Sequence, residues 1–319
     1  MFENIVGIIK KYDSIVIFGH INPDGDCYGA ALGLKKVIQI NYPEKKVYIT
    51  GTGVPRFFEA LEPMDIVSDE IIEHSLGIIV DGNDLDRMED QRVKKCIAWA
   101  KIDHHVDTGS FNEGPSVVDE EANSTCDMIV KMVLENDYKI DRIAANALYL
   151  GILTDSARFL FVHNYSRTFK RVSFLCENGA DPTMLDRLLN NTTETDLRAK
   201  GYILSNYKKS KEGVLYIIFT MEILKELGIG ANDASSYINL LANVDNCPVW
   251  VTFAEYTSGK GRIEFRSNGP AVQPFAHSIG GGGHLRAAGA PFEPFSEERA
   301  LKIIDELDNI VKDWRKENS

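Results

Sequence analysis

No two of the five cysteines form a CxxC pair; Cys27, Cys96, Cys126, Cys176 and Cys247 are scattered and odd in number. That pattern excludes a zinc knuckle and speaks for reduced thiols and a cytoplasmic address. No apolar run approaches the roughly 18 residues that a membrane span needs. The opening MFENIVGIIKKYDS carries an early acidic residue and lacks a small-residue cleavage pattern, so it does not read as a signal peptide. Basic charge in excess is missing too: 35 Lys and Arg against 47 Asp and Glu give a formal net charge of −12. A long nucleic-acid track needs a basic stripe to neutralise many phosphates, and none is present. Nor is there the aromatic–basic interleaving of single-strand binding platforms. A small anionic substrate held in one local pocket remains open.

What is there is an ordinary globular composition, 44% hydrophobic and 26% charged over 319 residues, long enough for two domains. Ser14 to Phe18, Lys46 to Thr50, Leu76 to Asp81, Cys96 to Asp103 and Ser116 to Asp119 read as strands. Helical stretches from about Cys27 to Gln39, from Ser124 or Thr125 to Glu135 and from Arg142 to Leu153 fall between and after them. This βαβ rhythm predicts an α/β fold with a mostly parallel sheet covered by helices. The polar, mostly helix-compatible stretch Leu189 to Lys211 reads as a link. The predicted division is a metal-binding domain over 1–190, a linker over 191–211 and a smaller α/β substrate-binding domain over 212–319, with a cleft between the two domains. Strands at Val214 to Thr220, Val249 to Tyr256 and Arg262 to Ser267 and a closing amphipathic helix make up the latter.

In parallel α/β sheets ligands sit just beyond the carboxyl ends of the strands. After the first strand here come His20, Asp24 and Asp26; after the third, Asp81; after the fourth, Asp103, His104 and His105; after the helix Arg142 to Leu153, Asp155. Singly these are turn or capping residues. Together they bring carboxylate and imidazole from four segments to one sheet edge, which has little purely structural purpose. Carboxylate oxygen with some imidazole and no cysteine suits two divalent ions, Mn2+ first, with Mg2+, Co2+ or Fe2+ as alternatives. Such a pair, bridged by a carboxylate, generates a hydroxide nucleophile and neutralises phosphoryl oxygens. Adjacent residues at a strand end point apart, so only one of the two histidines is expected to face the second ion.

The motifs HINPDGD, VDGND, KIDHHV and LYLGILTD resemble, in order and spacing, the four signatures of the DHH phosphoesterases, and GGGGHLRAAGA over Gly280 to Ala290 resembles the GGGH signature of their associated C-terminal domain. A chain of this length with both is most similar to the nanoRNase/pAp-phosphatase group. The resemblance implies that His20, Asp24 and Asp81 hold one metal and that Asp26, Asp81, His104 and Asp155 hold the other, with Asp81 bridging and catalytic. His105 would meet the scissile phosphate or the leaving group, and Asp103 would support the histidines. Arg266, Ser267, Gly281, Gly282, Gly283 and His284 would bind substrate. Ser156–Ala157 stands where the family often has Thr-Gly, and Gly29–Ala30 where it often has Gly-Ser; neither change removes a metal ligand. The implied activity is hydrolysis of oligoribonucleotides of about two to five nucleotides and of pAp, with a homodimer allowed and no membrane partner. A cyclic-dinucleotide or pApA phosphodiesterase is the nearest alternative. A non-catalytic nucleotide-binding regulator is the alternative of another class.

Overall fold

A computed structural model describes residues 1–54, 57, 61–82, 84–106 and 114–318. Asn83 of the VDGND motif lies outside them. The chain divides into two compact units, Met1–Asn191 and Thr192–Ser319.

In the first unit helix α1 (Glu3–Lys11) leads into β1 (Ser14–Phe18), followed by α2 (Gly25–Asn41), β2 (Lys46–Thr50), the short α3 (Asp69–Glu73) and β3 (Leu76–Val80). Then come β4 (Ala98–Asp103), β5 (Ser116–Val118), α4 (Thr125–Glu135), α5 (Arg142–Asp155), α6 (Tyr165–Glu177) and α7 (Pro182–Asn190). The five strands form one sheet in the order β2-β1-β3-β4-β5, and every pair is parallel. All five residues of β3 are buried, as expected for a strand covered on both faces. The order reverses between β1 and β3, and at that switch the loops leaving the two strands diverge and open a crevice.

Helices α2 and α5 press together at small residues. A Cβ on Gly29 would lie 2.4 Å from the Ala147 carbonyl oxygen, and one on Gly33 would lie 2.6 Å from Leu148. That close approach fixes the start of α2, with Asp24 and Asp26, against the end of α5, with Asp155.

The stretch 191–211, expected as a helix-compatible linker, is mostly helix. Helix α8 (Glu194–Asn206) begins with a capping box: Thr193 Oγ1 accepts from Asp196 N at 3.1 Å, and Asp196 Oδ2 accepts from Thr193 N at 2.7 Å. It buries Ala199 and Ile203 and belongs to the second unit. Beyond it lie β6 (Lys208–Lys209), β7 (Val214–Phe219), α9 (Met221–Leu227), α10 (Ala231–Ser236), β8 (Val249–Thr257) and β9 (Lys260–Ser267). The chain closes with α11 (Gln273–Ser278), β10 (Gly282–His284), β11 (Ala287–Phe292) and α12 (Glu297–Glu317). The sheet order is β10-β11-β9-β8-β7-β6. Only β7 and β8 run parallel among these neighbours. Apolar clusters flank this sheet, one including Val251, Phe265 and Leu307 and another including Leu215, Trp250 and Leu241.

Candidate metal centre

At the sheet switch the predicted residues of the first unit meet. Asp24 is the N-cap of α2, its Oδ1 accepting from Asp26 N at 2.9 Å and Cys27 N at 3.0 Å. Asp26, in the first turn, is 1% exposed. Its two oxygens accept from Thr125 N at 2.7 Å and Cys126 N at 2.9 Å. Those amides are the unpaired donors at the start of α4, where a helix favours an anion. Asp81 follows β3 at φ 56°, a left-handed conformation that costs a non-glycine residue about 1–3 kcal/mol and persists where the surroundings impose it. Its N–H donates to Ile102 O at 3.1 Å, and the Thr125 hydroxyl donates to its Oδ1 at 3.1 Å.

Three imidazoles face this carboxylate. His20 gives its Nδ1–H to Ile21 O at 2.9 Å, which leaves Nε2 3.4 Å from Asp81 Oδ2. His104 Nε2 lies 3.5 Å from Asp81 Oδ1, 3.5 Å from Asp155 Oδ2 and 3.9 Å from Asp26 Oδ2. His105 Nδ1 lies 3.6 Å from Asp81 Oδ1 and 2.9 Å from Asp103 Oδ1. The two histidines therefore do not point apart as strand alternation predicts. The strand ends at Asp103, so the pleat no longer governs them, and their ring centroids are 4.5 Å apart. Buried Asp103 supports His105 and not, through any hydrogen bond among the described residues, His104.

The donor set has the unfilled contacts that divalent ions require. His104 Nε2 is buried without a hydrogen-bond partner. Asp26 and Asp81 are 1% and 2% exposed, yet no lysine or arginine among the described residues pairs with them or with Asp155. Donor atoms sharing one ion stand roughly 3–3.5 Å apart when each bond is about 2.1 Å. The contacts of His20 and His104 with Asp81 and of His104 with Asp155, at 3.4–3.5 Å, reach that range and are longer than an ordinary hydrogen bond. Three sets bring ligand atoms within 4.8 Å of one another: His20, Cys27 and Asp81; Asp81, His104 and His105; Asp26, His104 and Asp155. Asp81 belongs to two of them. Asp24 belongs to none but lines the same cavity, of about 240 Å³, with His20, Asp81, Gly82, Arg87 and His105. The residues fit divalent ions.

Without ions, protons compensate this charge. The Asp81 carboxylate facing Nε2 is the main reason the His20 pKa rises to about 11. Burial would raise Asp81, but His20, His104 and His105 hold it below the ordinary carboxylate range. Burial, then the neighbouring Asp81 and Asp155, push Asp26 well up. Burial lifts Asp155 to about 6, and the Asp103 hydrogen bond raises His105. Cys27 was not foreseen beside His20. Burial raises its thiol to about 11, so it stands there protonated. Thr125 and Arg87 were also missed. Neither lies in a motif, and only the folded chain brings them to Asp81.

In the second unit the register aligns His284 with Ala287 and Ala287 with Arg266, so Arg266 and the GGGH hairpin share one row of the sheet. The Arg266 Nη1 donates to Phe265 O at 2.8 Å and meets Glu264 Oε2 at 3.3 Å. Ser267 Oγ accepts from Gly269 N at 2.9 Å. A Cβ at Gly281 would come 2.2 Å from Gly289 O, and one at Gly283 2.6 Å from Ala287 O; the hairpin itself demands both glycines. A larger cavity of about 470 Å³, bounded by Tyr202, Lys208, Glu255 and Glu297, lies within this unit. It holds none of the metal-capable sets, and its Lys208 is paired with Glu297 at 3.0 Å.

Comparison with known proteins agrees with this geometry. The DHH family, N-terminal domain, matches residues 14–152, and the DHHA1 domain matches residues 213–313. The bifunctional oligoribonuclease and PAP phosphatase NrnA of Mycoplasma pneumoniae is 33% identical over 98% of this chain and 95% of its own length. The chain belongs to the DHH family. The NrnA of Bacillus subtilis, with the same name, is 31% identical over 98% of this chain and 99% of its own. An exopolyphosphatase-related protein from Bacteroides fragilis shares the DHH fold at TM-score 0.83 and 24% identity, covering 97% of this chain and 96% of that one. No helix among the described residues is long and apolar enough to cross a membrane.

Proposed function

We propose that this DHH-family protein is a metal-dependent phosphoesterase that hydrolyses short oligoribonucleotides and pAp. The observation that carries the reading is the convergence of buried Asp26 and Asp81 with His104 and Asp155, without a lysine or arginine counter-charge among the described residues. The full-length likeness to relatives named as oligoribonucleases and PAP phosphatases supports the substrate class.

His20, Asp24 and Asp81 would hold one divalent cation, and Asp26, Asp81, His104 and Asp155 a second, Mn2+ being the preferred ion for this oxygen–nitrogen set. When bound, the cations supply the charge that acidifies an attacking water and offsets the charge growing on the phosphoryl oxygens. Asp26 keeps its carboxylate aimed by two α4 amides, and Asp81 is aimed by Thr125. His105 has its Nδ1 engaged by Asp103, which leaves Nε2 to meet the scissile phosphate or hand a proton to the leaving oxygen. In the second unit Arg266, Ser267, the glycines at 281–283 and His284 would grip a further phosphate of the substrate. The site of action is the cytoplasm.

The test is a panel of pAp, pApA, a cyclic dinucleotide, pyrophosphate and RNAs of two to twenty nucleotides, each with Mn2+ and with Asp81→Ala as the control. Rapid release of phosphate from pAp and of mononucleotides from the shortest RNAs, both lost in the variant, is expected. A protein that binds these nucleotides but turns none over is a regulator and ends the reading.

A further inference from the structure

Between β3 and β4 the chain carries four fixed positive charges, at Arg87, Arg92, Lys94 and Lys95. Three are neutralised locally. Arg92 meets Asp90 at 2.8 Å and Asp69 at 2.9 Å; Lys94 meets Asp86 at 2.5 Å; Lys95 meets Asp69 at 2.8 Å and Glu73 at 3.3 Å. The fourth has no such partner: among the described residues Arg87 makes no side-chain hydrogen bond or ion pair. Among the described residues it is also the only lysine or arginine lining the cavity of His20, Asp24, Asp81 and His105.

Its position is built into the backbone. The Arg87 carbonyl accepts from Ile21 N at 2.9 Å, and Glu89 N donates to Gly19 O at 3.0 Å, so residues 87–89 are zipped to the loop that carries His20. Met88 is fully buried between these contacts and bridges His20 across the zip. The Gln91 amide ties the turn from the other side, donating to the carbonyls of Leu85, Asp86 and Met88 at 3.2, 3.2 and 2.7 Å. The chain has fixed the base of Arg87 and left its guanidinium free. A side chain held this way loses little more freedom on binding a ligand than its own rotamers.

We propose that Arg87 is a substrate-binding residue of the metal-bearing unit, its guanidinium gripping non-bridging oxygens of the phosphoryl group that is cleaved. The inference rests on the phosphoesterase reading. A planar fork of N–H donors matches two oxygens of one phosphate, which a single-point ammonium cannot do. The carboxylates of Asp24 and Asp81 line the same cavity. Neither lies within ion-pair distance of it, and both are needed for cations, so the anion it serves comes from outside the chain. Of the described charged groups around this cavity, Arg87 alone contributes positive charge that does not depend on protonation or on metal.

The experiment uses the Mn2+-loaded full chain as wild type, Arg87→Ala, Arg87→Lys and, as a control cation that is paired and outside the cavity, Lys94→Ala. Four quantities are read: metal content, Tm, kcat and KM on pApA, and the binding of inorganic phosphate by calorimetry. Arg87→Ala should lose about 10–100-fold in kcat/KM and a similar factor in phosphate affinity, the range for charge-assisted hydrogen bonds. Its metal content and Tm should stay at the wild-type level. Arg87→Lys should recover part of the loss, and Lys94→Ala should behave as wild type. Unchanged phosphate affinity and kcat/KM in Arg87→Ala would overturn the proposal. So would a loss that tracks a fall in metal content or Tm, because the arginine would then be structural. If the wild type cleaves no phosphoester, the functional reading fails on its own, and the phosphate calorimetry still decides the role of Arg87.

Discussion

Replacing Asp103 with asparagine separates holding a histidine from holding a metal. Asp103 is fully buried, and its Oδ1 accepts from the His105 N–H at 3.2 Å and meets His105 Nδ1 at 2.9 Å. Its Oδ2 is buried without a hydrogen-bond partner among the described residues, so removing the charge also removes a desolvation cost, and the variant should fold. The isosteric amide keeps the shape but turns a charge-assisted hydrogen bond, worth about 1.5–3 kcal/mol, into a neutral one worth about 0.5–1.5. The difference of roughly 1–1.5 kcal/mol predicts a fall in kcat/KM of about tenfold. A flipped amide that presents its NH2 to Nδ1 would force the wrong tautomer and deepen the loss by further factors of ten. Metal content should stay at the wild-type level, since Asp103 belongs to none of the metal-capable sets. Asp103 raises the His105 pKa; without it the imidazolium is less favoured, so an alkaline limb that reports His105 should move to lower pH. The assay is kcat/KM on pApA from pH 6 to 10, with metal analysis of the dialysed protein. Metal loss as deep as in Asp81→Ala, or an unchanged rate at every pH, would refute the role given to Asp103.

His104→Ala should lose metal and activity together, whereas His105→Ala should keep much of its metal and lose turnover; equal metal loss in the two variants would mean the roles are wrongly divided. Adding Mn2+ to the metal-free protein at pH 7 in weak buffer should release protons, because His20 is raised to about 11 and Asp26 well up. Metal affinity should then fall further as pH drops through about 6, where Asp155 takes up its proton; calorimetry in buffers of different ionisation enthalpy counts the protons, and none released would contradict the charge assignment. The enzyme should cleave two- to five-nucleotide RNAs much faster than a twenty-nucleotide RNA, and Arg266→Ala should weaken the shortest substrates most; equal kcat/KM at two and twenty nucleotides would exclude short-substrate selectivity.

The candidate metal centre was legible in the sequence because its chemistry follows strand ends. Each of β1, β3 and β4 is a short β-rich run that ends at a polar group, so His20, Asp81 and His104 could be read as neighbours before any fold was drawn. Asp155 does not follow that rule; it is the last residue of helix α5, and only the packing of α5 on α2 through Gly29 and Gly33 carries it to the site. The stretch 191–211 reads as a polar, helix-compatible link because α8 buries little more than Ala199 and Ile203; that the helix belongs to the second unit is a tertiary fact. The hairpin of β10 and β11 escaped notice because glycine and alanine carry no strand pattern. Arg87 was invisible for a different reason: in LDRMEDQRVKK it is one more charge in a mixed run, and which cation stays unpaired is a tertiary fact.

A buried acid cluster of this kind is costly to assemble, and the fold shows where the cost is offset. Asp26 draws on two orphan amides of α4, and Asp81 on a hydroxyl and three imidazoles. Each of these partners is either fixed and dipolar or able to give up a proton. None is a lysine or arginine, which would occupy the carboxylates permanently and exclude a cation. In the loop that follows β3, by contrast, three positive side chains are tied to carboxylates of their own. Charge is thus sorted by permanence: fixed ion pairs stabilise the outside of the site, and exchangeable protons fill its interior. Protons can leave when divalent ions arrive, and that exchange makes the site pH-sensitive in its metal affinity without placing a permanent competitor at the reacting phosphate.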